Sequence, residues 1–187
     1  MVVKNTDIRS FYRTTTRCKA TLEKFSAEEN KNKTIVHHIE TKCDPRENIE
    51  AREDPHEIKG RYGVFSRKPI DKGSFICEYA GDLINRREAE KRNIIYEEQS
   101  RGSYMFYFNF KNKGYCLDAT EPSSRLGRLV NHSRKKPNCK MEIFVHQNKP
   151  YLILTAIRDI KPNEEILYDY GERDKTVIKE NPWLEDC

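Results

Sequence analysis

Two short segments constrain this chain more than anything else in it: Gly127-Arg-Leu-Val-Asn-His-Ser133 and, further along, Glu164-Glu-Ile-Leu-Tyr-Asp-Tyr-Gly171. In each, a brief apolar run ends in side chains capable of chemistry. An Asn-His pair after an apolar run reads by itself as a turn that satisfies its own backbone, and Tyr-Asp-Tyr-Gly as a strand end entering a turn. Their joint occurrence in one chain, in this order, is what carries information.

Around them the chain reads as short strands cut by turn residues. Strands are expected over 63–66, 74–79, 104–110, 115–118, 140–146 and 151–156, with bends at Asp71-Lys-Gly73, Lys113-Gly114, Asn148-Lys-Pro150 and Lys161-Pro-Asn163. Arg86 to Gln99 has the look of a helix, with Asn85 as its N-cap, and a second helix is expected from about Leu22 to Ile39. Asp44-Pro45 and Asp54-Pro55 then break the chain. Many short strands and few helices predict a β-rich α+β fold. A length of 187 residues suits one domain with flanking pieces. The boundaries expected are a flexible basic arm over 1–20, an N-flanking helical element over 21–56, a catalytic domain over 57–172 and a C-flanking segment over 173–187.

With Gly60-Arg-Tyr-Gly-Val64 and Glu78-Tyr-Ala-Gly-Asp82 upstream, the two segments resemble the SET-domain protein lysine methyltransferases over about residues 57 to 187. Within that family the chain is most similar to the branch that monomethylates lysine 20 of the histone H4 tail. Tyr104-Met-Phe-Tyr-Phe108, Tyr115-Cys-Leu-Asp-Ala-Thr120, Arg125-Leu-Gly-Arg-Leu129 and Asn181-Pro-Trp-Leu184 carry that likeness. The resemblance implies small curved sheets, a C-terminal pseudoknot that threads Asn131-His132 beside the loop around Tyr168 to Tyr170, and a C-terminal helix closing the site.

Methyl transfer to an amine is an in-line displacement, so alignment and a neutral lysine are the chief requirements. A narrow aromatic channel depresses the pKa of an amine by desolvation, and tyrosine offers an apolar face with one hydroxyl. Of ten tyrosines, the resemblance assigns Tyr170 as the catalytic tyrosine, Tyr79 to the lysine channel, and Tyr168 to limiting the product to monomethyl-lysine. It assigns S-adenosyl-L-methionine, released as S-adenosyl-L-homocysteine, to Lys59, Gly60, Arg61, Tyr104, Asn131, His132 and Trp183, with His132 not a general base. Tyr79, Tyr168, Glu172 and Asp118 are expected at the substrate. Three positions depart from that branch: Tyr62 looks inserted in the glycine entrance, Ser103 stands for cysteine, and Asn181 for histidine.

The six cysteines lack Cys-x-x-Cys spacing, which predicts reduced structural thiols and no metal site. No apolar leader or membrane-length apolar run is present in the sequence. The net charge of +5 is modest, but Arg134-Lys-Lys136, Arg86-Arg87 with Lys91-Arg92, and the five Lys or Arg of the first twenty residues form clusters that suit non-specific contact with nucleosomal DNA. The resemblance implies the histone H4 tail and the nucleosome as partners, and through them a nuclear location; a monomer is the default expectation. A non-catalytic chromatin-binding module of the same fold and an unrelated basic nucleic-acid-binding β domain are the competing readings.

Overall fold

Turn chemistry places the strands. Lys111-Asn112 and Gln147-Asn148 each hold two consecutive residues at positive φ, the backbone of a two-residue hairpin turn whose twist matches its strands. They close Met105–Phe110 (β5) on Lys113–Asp118 (β6) and Cys139–His146 (β8) on Lys149–Ala156 (β9). The bend expected at Lys113-Gly114 therefore sits two residues earlier, and both of those residues belong to β6.

The computed structural model describes residues 26–53 and 62–186. The chain divides into two units, Met1–His37 and His38–Cys187. In the first, residues 26–37 are helical, with a Glu29–Lys33 ion pair one turn apart. The expected arm over 1–20 lies outside the described residues. In the second unit residues 38–41 are helical as well; the helical stretch 26–41 is α1.

The second unit is built from four small sheets. Ile49–Glu53 (β1) pairs antiparallel with Tyr62–Ser66 (β2). Asp82–Asn85 (β4), β6 and β5 form a three-stranded sheet in that order, and Phe75–Glu78 (β3), β9 and β8 form another. Two-residue strands Asn131–His132 (β7) and Leu167–Tyr168 (β10) pair parallel. Helix Arg86–Glu98 (α2) follows β4, capped by the Asn85 side chain accepting from Glu88 N at 2.9 Å. Lys175–Glu180 (α3) and Trp183–Asp186 (α4) end the described chain. β1 and β4 were not expected. β1 alternates over only five residues with Ile49 as its one large apolar side chain, and β4 is only four residues with mostly exposed side chains, so both are too short to stand out as strands.

The core gathers Ile49, Val64, Ile76, Leu154, Ile160 and Ile166 with Tyr168 at its margin. A smaller cluster of Tyr79, Leu117, Ala119 and Leu152 adjoins the β4–β6–β5 sheet. Cys43, Cys77, Cys116 and Cys139 are free thiols. Burial pushes Cys116 up to about 11 and Cys139 up to about 12, which keeps both protonated and unreactive.

The segment after β6 is held by buried charge. Arg125 Nε donates to Asp44 Oδ1 at 3.0 Å and its Nη2 to Glu78 Oε2 at 2.8 Å, while Leu126 N donates to Asp44 Oδ2 at 2.6 Å. Burial raises the Glu78 carboxyl despite its bond to Arg125, while Asp44 holds both the guanidinium and the following peptide N–H. Immediately afterwards comes a 3₁₀ turn, Gly127–Leu129. A Cβ on Gly127 would strike the Glu78 carbonyl and the Tyr79 Cα, so only glycine lets this turn lie against the end of β3. Asp44→Ala would leave Arg125 short of its main partner and should cost about 3–5 kcal/mol. Urea unfolding checks this: the midpoint should fall at an unchanged m value.

Candidate active site

Short elements converge on one cavity of about 850 Å³. Tyr79 enters from the residue after β3, Tyr104 and Phe106 from the start of β5, Arg128 and Leu129 from the 3₁₀ turn, and Asn131 from β7. Tyr168 comes from β10, Tyr170 and Glu172 from the loop beyond it, and Val177, Asn181, Trp183 and Leu184 from the C-terminal helices and their link. Tyr62, Ser103 and Met105 complete the lining.

The parallel β7–β10 pair makes this convergence possible. Ser133 N donates to Tyr168 O and Asn138 N to Leu167 O, both at 3.0 Å. The fully buried Asn138 side chain continues the pairing: Nδ2 donates to Glu165 O at 2.6 Å and Oδ1 accepts from Leu167 N at 2.9 Å. A side-chain amide thus substitutes for a missing strand. The sequence reading passed over Asn138 because nothing local marks a residue whose partners lie nearly thirty positions on.

The hydroxyls are oriented by carbonyls. Tyr79 donates to Tyr104 O at 3.1 Å and Tyr170 to Val130 O at 3.0 Å. With each phenolic proton engaged, each oxygen offers lone pairs elsewhere. Burial raises the Tyr79 and Tyr168 phenols above their ordinary range, so both stay protonated at neutral pH. The Tyr168 and Tyr170 rings lie 4.7 Å apart, and Trp183 meets Tyr170 edge-on at 6.4 Å.

Arg128 lies over the Tyr104 ring at 4.1 Å, a cation–π contact. Its Nε is buried without a hydrogen-bond partner. Arg128 carries no role in the motif by resemblance; an arginine inside the apolar run Gly127-Arg-Leu-Val130 is the signal in the sequence that marks it.

The model of the family described as "SET domain" matches residues 61–171. The chain belongs to the SET-domain family. It is 50% identical over 129 residues to the N-lysine methyltransferase KMT5A-A of Danio rerio, covering 68% of this chain and 37% of that protein. It is 43% identical over 127 residues to the histone-lysine N-methyltransferase Set8 of Drosophila melanogaster, covering 67% of this chain and 18% of that one. The chain thus spans well under half the length of these curated relatives. The crystal structure of CpSET8 from Cryptosporidium superposes with a TM-score of 0.62 at 39% identity, covering 67% of this chain and 58% of that chain.

In this SET domain the cavity brings together Tyr79, Tyr104, Asn131, Tyr168, Tyr170, Glu172 and Trp183 from the expected set. Lys59, Gly60 and Arg61 lie outside the described residues. Two of the expected residues turn their side chains into the protein, which leaves the backbone of His132 for its assigned cofactor contact. The His132 ring does not line the cavity: Nδ1 accepts from Tyr170 N at 3.0 Å, which leaves Nε2 protonated to donate to Leu184 O at 2.9 Å. Both nitrogens are used inside the protein, so a side-chain contact from His132 to a ligand is not available. Nor is Asp118 an exposed groove carboxylate. It is buried, with Oδ2 accepting from Arg92 Nη1 and Tyr96 Oη, each at 2.9 Å, and Oδ1 accepting from Thr120 N at 3.0 Å.

Gly63 has a local reason. A Cβ there would crowd Glu165 and Asn131, whose side chains bond to each other at 2.9 Å. Asn181, in place of the expected histidine, caps α3 by donating from Nδ2 to Val177 O at 3.1 Å.

Burial alone would raise the Asp118 carboxyl, but donors from Thr120, Arg92 and Tyr96 outweigh it and hold it below the usual carboxylate range. A depressed folded-state pKa contributes stability that is present above the unfolded value of about 3.9 and lost as pH falls through the folded value. Asp118→Asn should therefore be less stable at neutral pH and should show a shallower loss of stability below about pH 4. Thermal unfolding across an acid series measures both.

Proposed function

We propose that this chain is an S-adenosyl-L-methionine-dependent protein-lysine N-methyltransferase that places a single methyl on lysine 20 of the histone H4 tail, with the nucleosome as preferred substrate. The observation that carries this reading is the pair of phenol oxygens, Tyr79 and Tyr170, whose protons are bound to backbone carbonyls. Toward the cavity such oxygens act as acceptors only. They favour a ligand rich in N–H or polarised C–H donors over an anion, which suits an amine meeting a methyl that bears positive charge. The 43–50% identity to relatives named as N-lysine or histone-lysine methyltransferases supports the same assignment.

The lining fits the cofactor. Trp183 presents a large exposed face, suited to stacking on an adenine, and the partnerless Arg128 Nε is a donor that an acceptor group of a ligand would complete. Tyr104 and Asn131 lie on the same wall, with Lys59, Gly60 and Arg61 assigned by resemblance. S-adenosyl-L-methionine, when bound, supplies a methyl made electrophilic by its sulfonium and leaves as S-adenosyl-L-homocysteine. The protein's own residues do the rest. Tyr79, Phe106 and Tyr168 enclose the lysine stem, and desolvation by these rings favours the neutral amine over the ammonium. Because the Tyr79 and Tyr168 phenols stay protonated, neither serves as a base, and the amine enters already neutral. Tyr168, buried and in ring contact with Tyr170, keeps the space beside the amine polar and small, which holds the product at monomethyl-lysine.

Glu172 lines the cavity and gives the basic H4 tail an acidic neighbour. The basic clusters at Arg134-Lys-Lys136 and on α2 suit nucleosomal DNA, a nuclear, chromatin-bound location follows from this substrate, and a monomer is the default state. Among the described residues no group of three or more His, Cys, Asp or Glu could hold a metal, and no helix is long and apolar enough to cross a membrane.

Mass spectrometry of recombinant nucleosomes and free histones treated with the protein and cofactor tests the reading. One added methyl on the H4 tail, stronger on nucleosomes, is expected; cofactor binding without methylation of any histone would favour the non-catalytic chromatin-binding module. Tyr170→Phe should lower kcat by about 100-fold or more with cofactor affinity nearly unchanged. Tyr168→Phe should give dimethyl-lysine as a major product, and an unchanged monomethyl product would remove Tyr168 from that role.

A further inference from the structure

Tyr104 is gripped at both ends of its backbone. Its carbonyl accepts from Ala119 N at 2.9 Å as well as from the Tyr79 hydroxyl, and its N–H donates to Thr120 Oγ1 at 3.0 Å. Thr120 is itself almost fully buried. Its backbone N–H donates to Asp118 Oδ1 at 3.0 Å, and the same carboxylate takes Arg92 and Tyr96. Hydrogen bonds therefore tie helix α2 to Asp118, Asp118 to the Thr120 backbone, the Thr120 hydroxyl to the Tyr104 N–H, and the Tyr104 carbonyl to the Tyr79 hydroxyl. Arg92, Tyr96, Asp118 and Thr120 do not line the cavity.

We propose that Thr120, held by Asp118, is a positioning residue for methyl transfer: with Ala119 N it fixes the backbone on both sides of the Tyr104 Cα and so sets where the Tyr79 oxygen presents its lone pairs in the lysine channel. This rests on the methyltransferase reading above. The physical case is geometric. The Tyr79 ring is held by packing with Phe106 at 6.1 Å, but packing does not choose the rotation of a hydroxyl; the acceptor does, and among the described residues that acceptor is the Tyr104 carbonyl. The Tyr104 N–H belongs to the peptide before its Cα and the carbonyl to the peptide after it; the Thr120 hydroxyl holds the first and Ala119 N the second, and together they fix the backbone that carries this acceptor. Without the Thr120 hydroxyl, the Tyr104 N–H loses its partner and the start of β5 is free to shift. The Tyr79 hydroxyl would follow it, and small displacements of channel groups are costly to rate.

A double-mutant cycle on the full chain, assayed on nucleosomes, tests this. Thr120→Val keeps the shape and removes the hydroxyl, and it should lower kcat by about 10- to 100-fold with a smaller change in KM for the cofactor. Thr120→Ser, which restores the hydroxyl, should return kcat to within about threefold of wild type. The decisive comparison is in a Tyr79→Phe background: if Thr120 acts through the Tyr79 hydroxyl, Thr120→Val should there cost less than about threefold, a non-additivity that a purely structural defect would not give. Tyr96→Phe, which removes one donor to Asp118 from the far end, should lower kcat by a few fold and serves where Thr120→Val does not fold. Full additivity, or equal loss in Thr120→Val and Thr120→Ser, would overturn the proposal. For Tyr96→Phe, kcat unchanged in a folded protein would do the same. A wild-type protein that binds cofactor and methylates nothing would instead overturn the underlying reading, and this proposal with it.

Discussion

A guanidinium buried between two carboxylates is the constraint on which the rest depends. Arg125 is almost out of solvent, and so are Asp44 and Glu78. Such a triad gains little over an apolar core as a source of stability, but it tolerates only one arrangement, because each charge is costly without its partners. Here the arrangement fixes three pieces of chain at once: the segment before β1 through Asp44, the end of β3 through Glu78, and the start of the 3₁₀ turn through Leu126 N. Tyr79 follows Glu78 directly, and Val130 follows the turn. The carbonyl that orients Tyr170 and the ring that carries the Tyr79 hydroxyl are therefore placed by the same ion cluster. Gly127 adds the steric half of this constraint, since a side chain there would push the turn off β3.

Around that anchor the site is assembled mainly by polar groups that take the place of regular secondary structure. Strands β7 and β10 have two residues each, too few to hold themselves together. Asn138 extends their pairing and His132 ties β7 to the Tyr170 loop. Such pairings leave the cavity open while the β7 and β10 wall is braced from behind. The apolar clusters supply the driving force for folding, and the buried amide and imidazole select which of many compact arrangements forms.

Much of the fold was legible because hairpins declare themselves locally. Runs such as Tyr104 to Phe110 and Tyr151 to Ala156 are rich in aromatic and branched residues, and Asn85 marks the start of α2 where the structure caps it. What escaped was decided by partners distant in sequence. β1 becomes a strand because β2 pairs with it. Asp118 looks like a surface carboxylate at the end of a strand, and only the return of α2, bringing Arg92 and Tyr96, buries it. The candidate site was legible through the resemblance at Tyr79, Tyr104, Asn131, Tyr168, Tyr170, Glu172 and Trp183, which gather as lining. The inward use of His132 was not, since an imidazole that holds two backbone groups and one that holds a ligand have the same letter in the same motif.

The stretch that matches the family, 61–171, is not self-sufficient in polar partners. Asp44 lies before it and Leu184 after it, yet Arg125 and His132 inside it depend on them. A fragment trimmed to the matched stretch would retain every tyrosine of the channel while stranding a buried cation at one end and an imidazole N–H at the other. The smallest excisable unit is set by where its hydrogen bonds terminate, and for this chain that means at least 44–184.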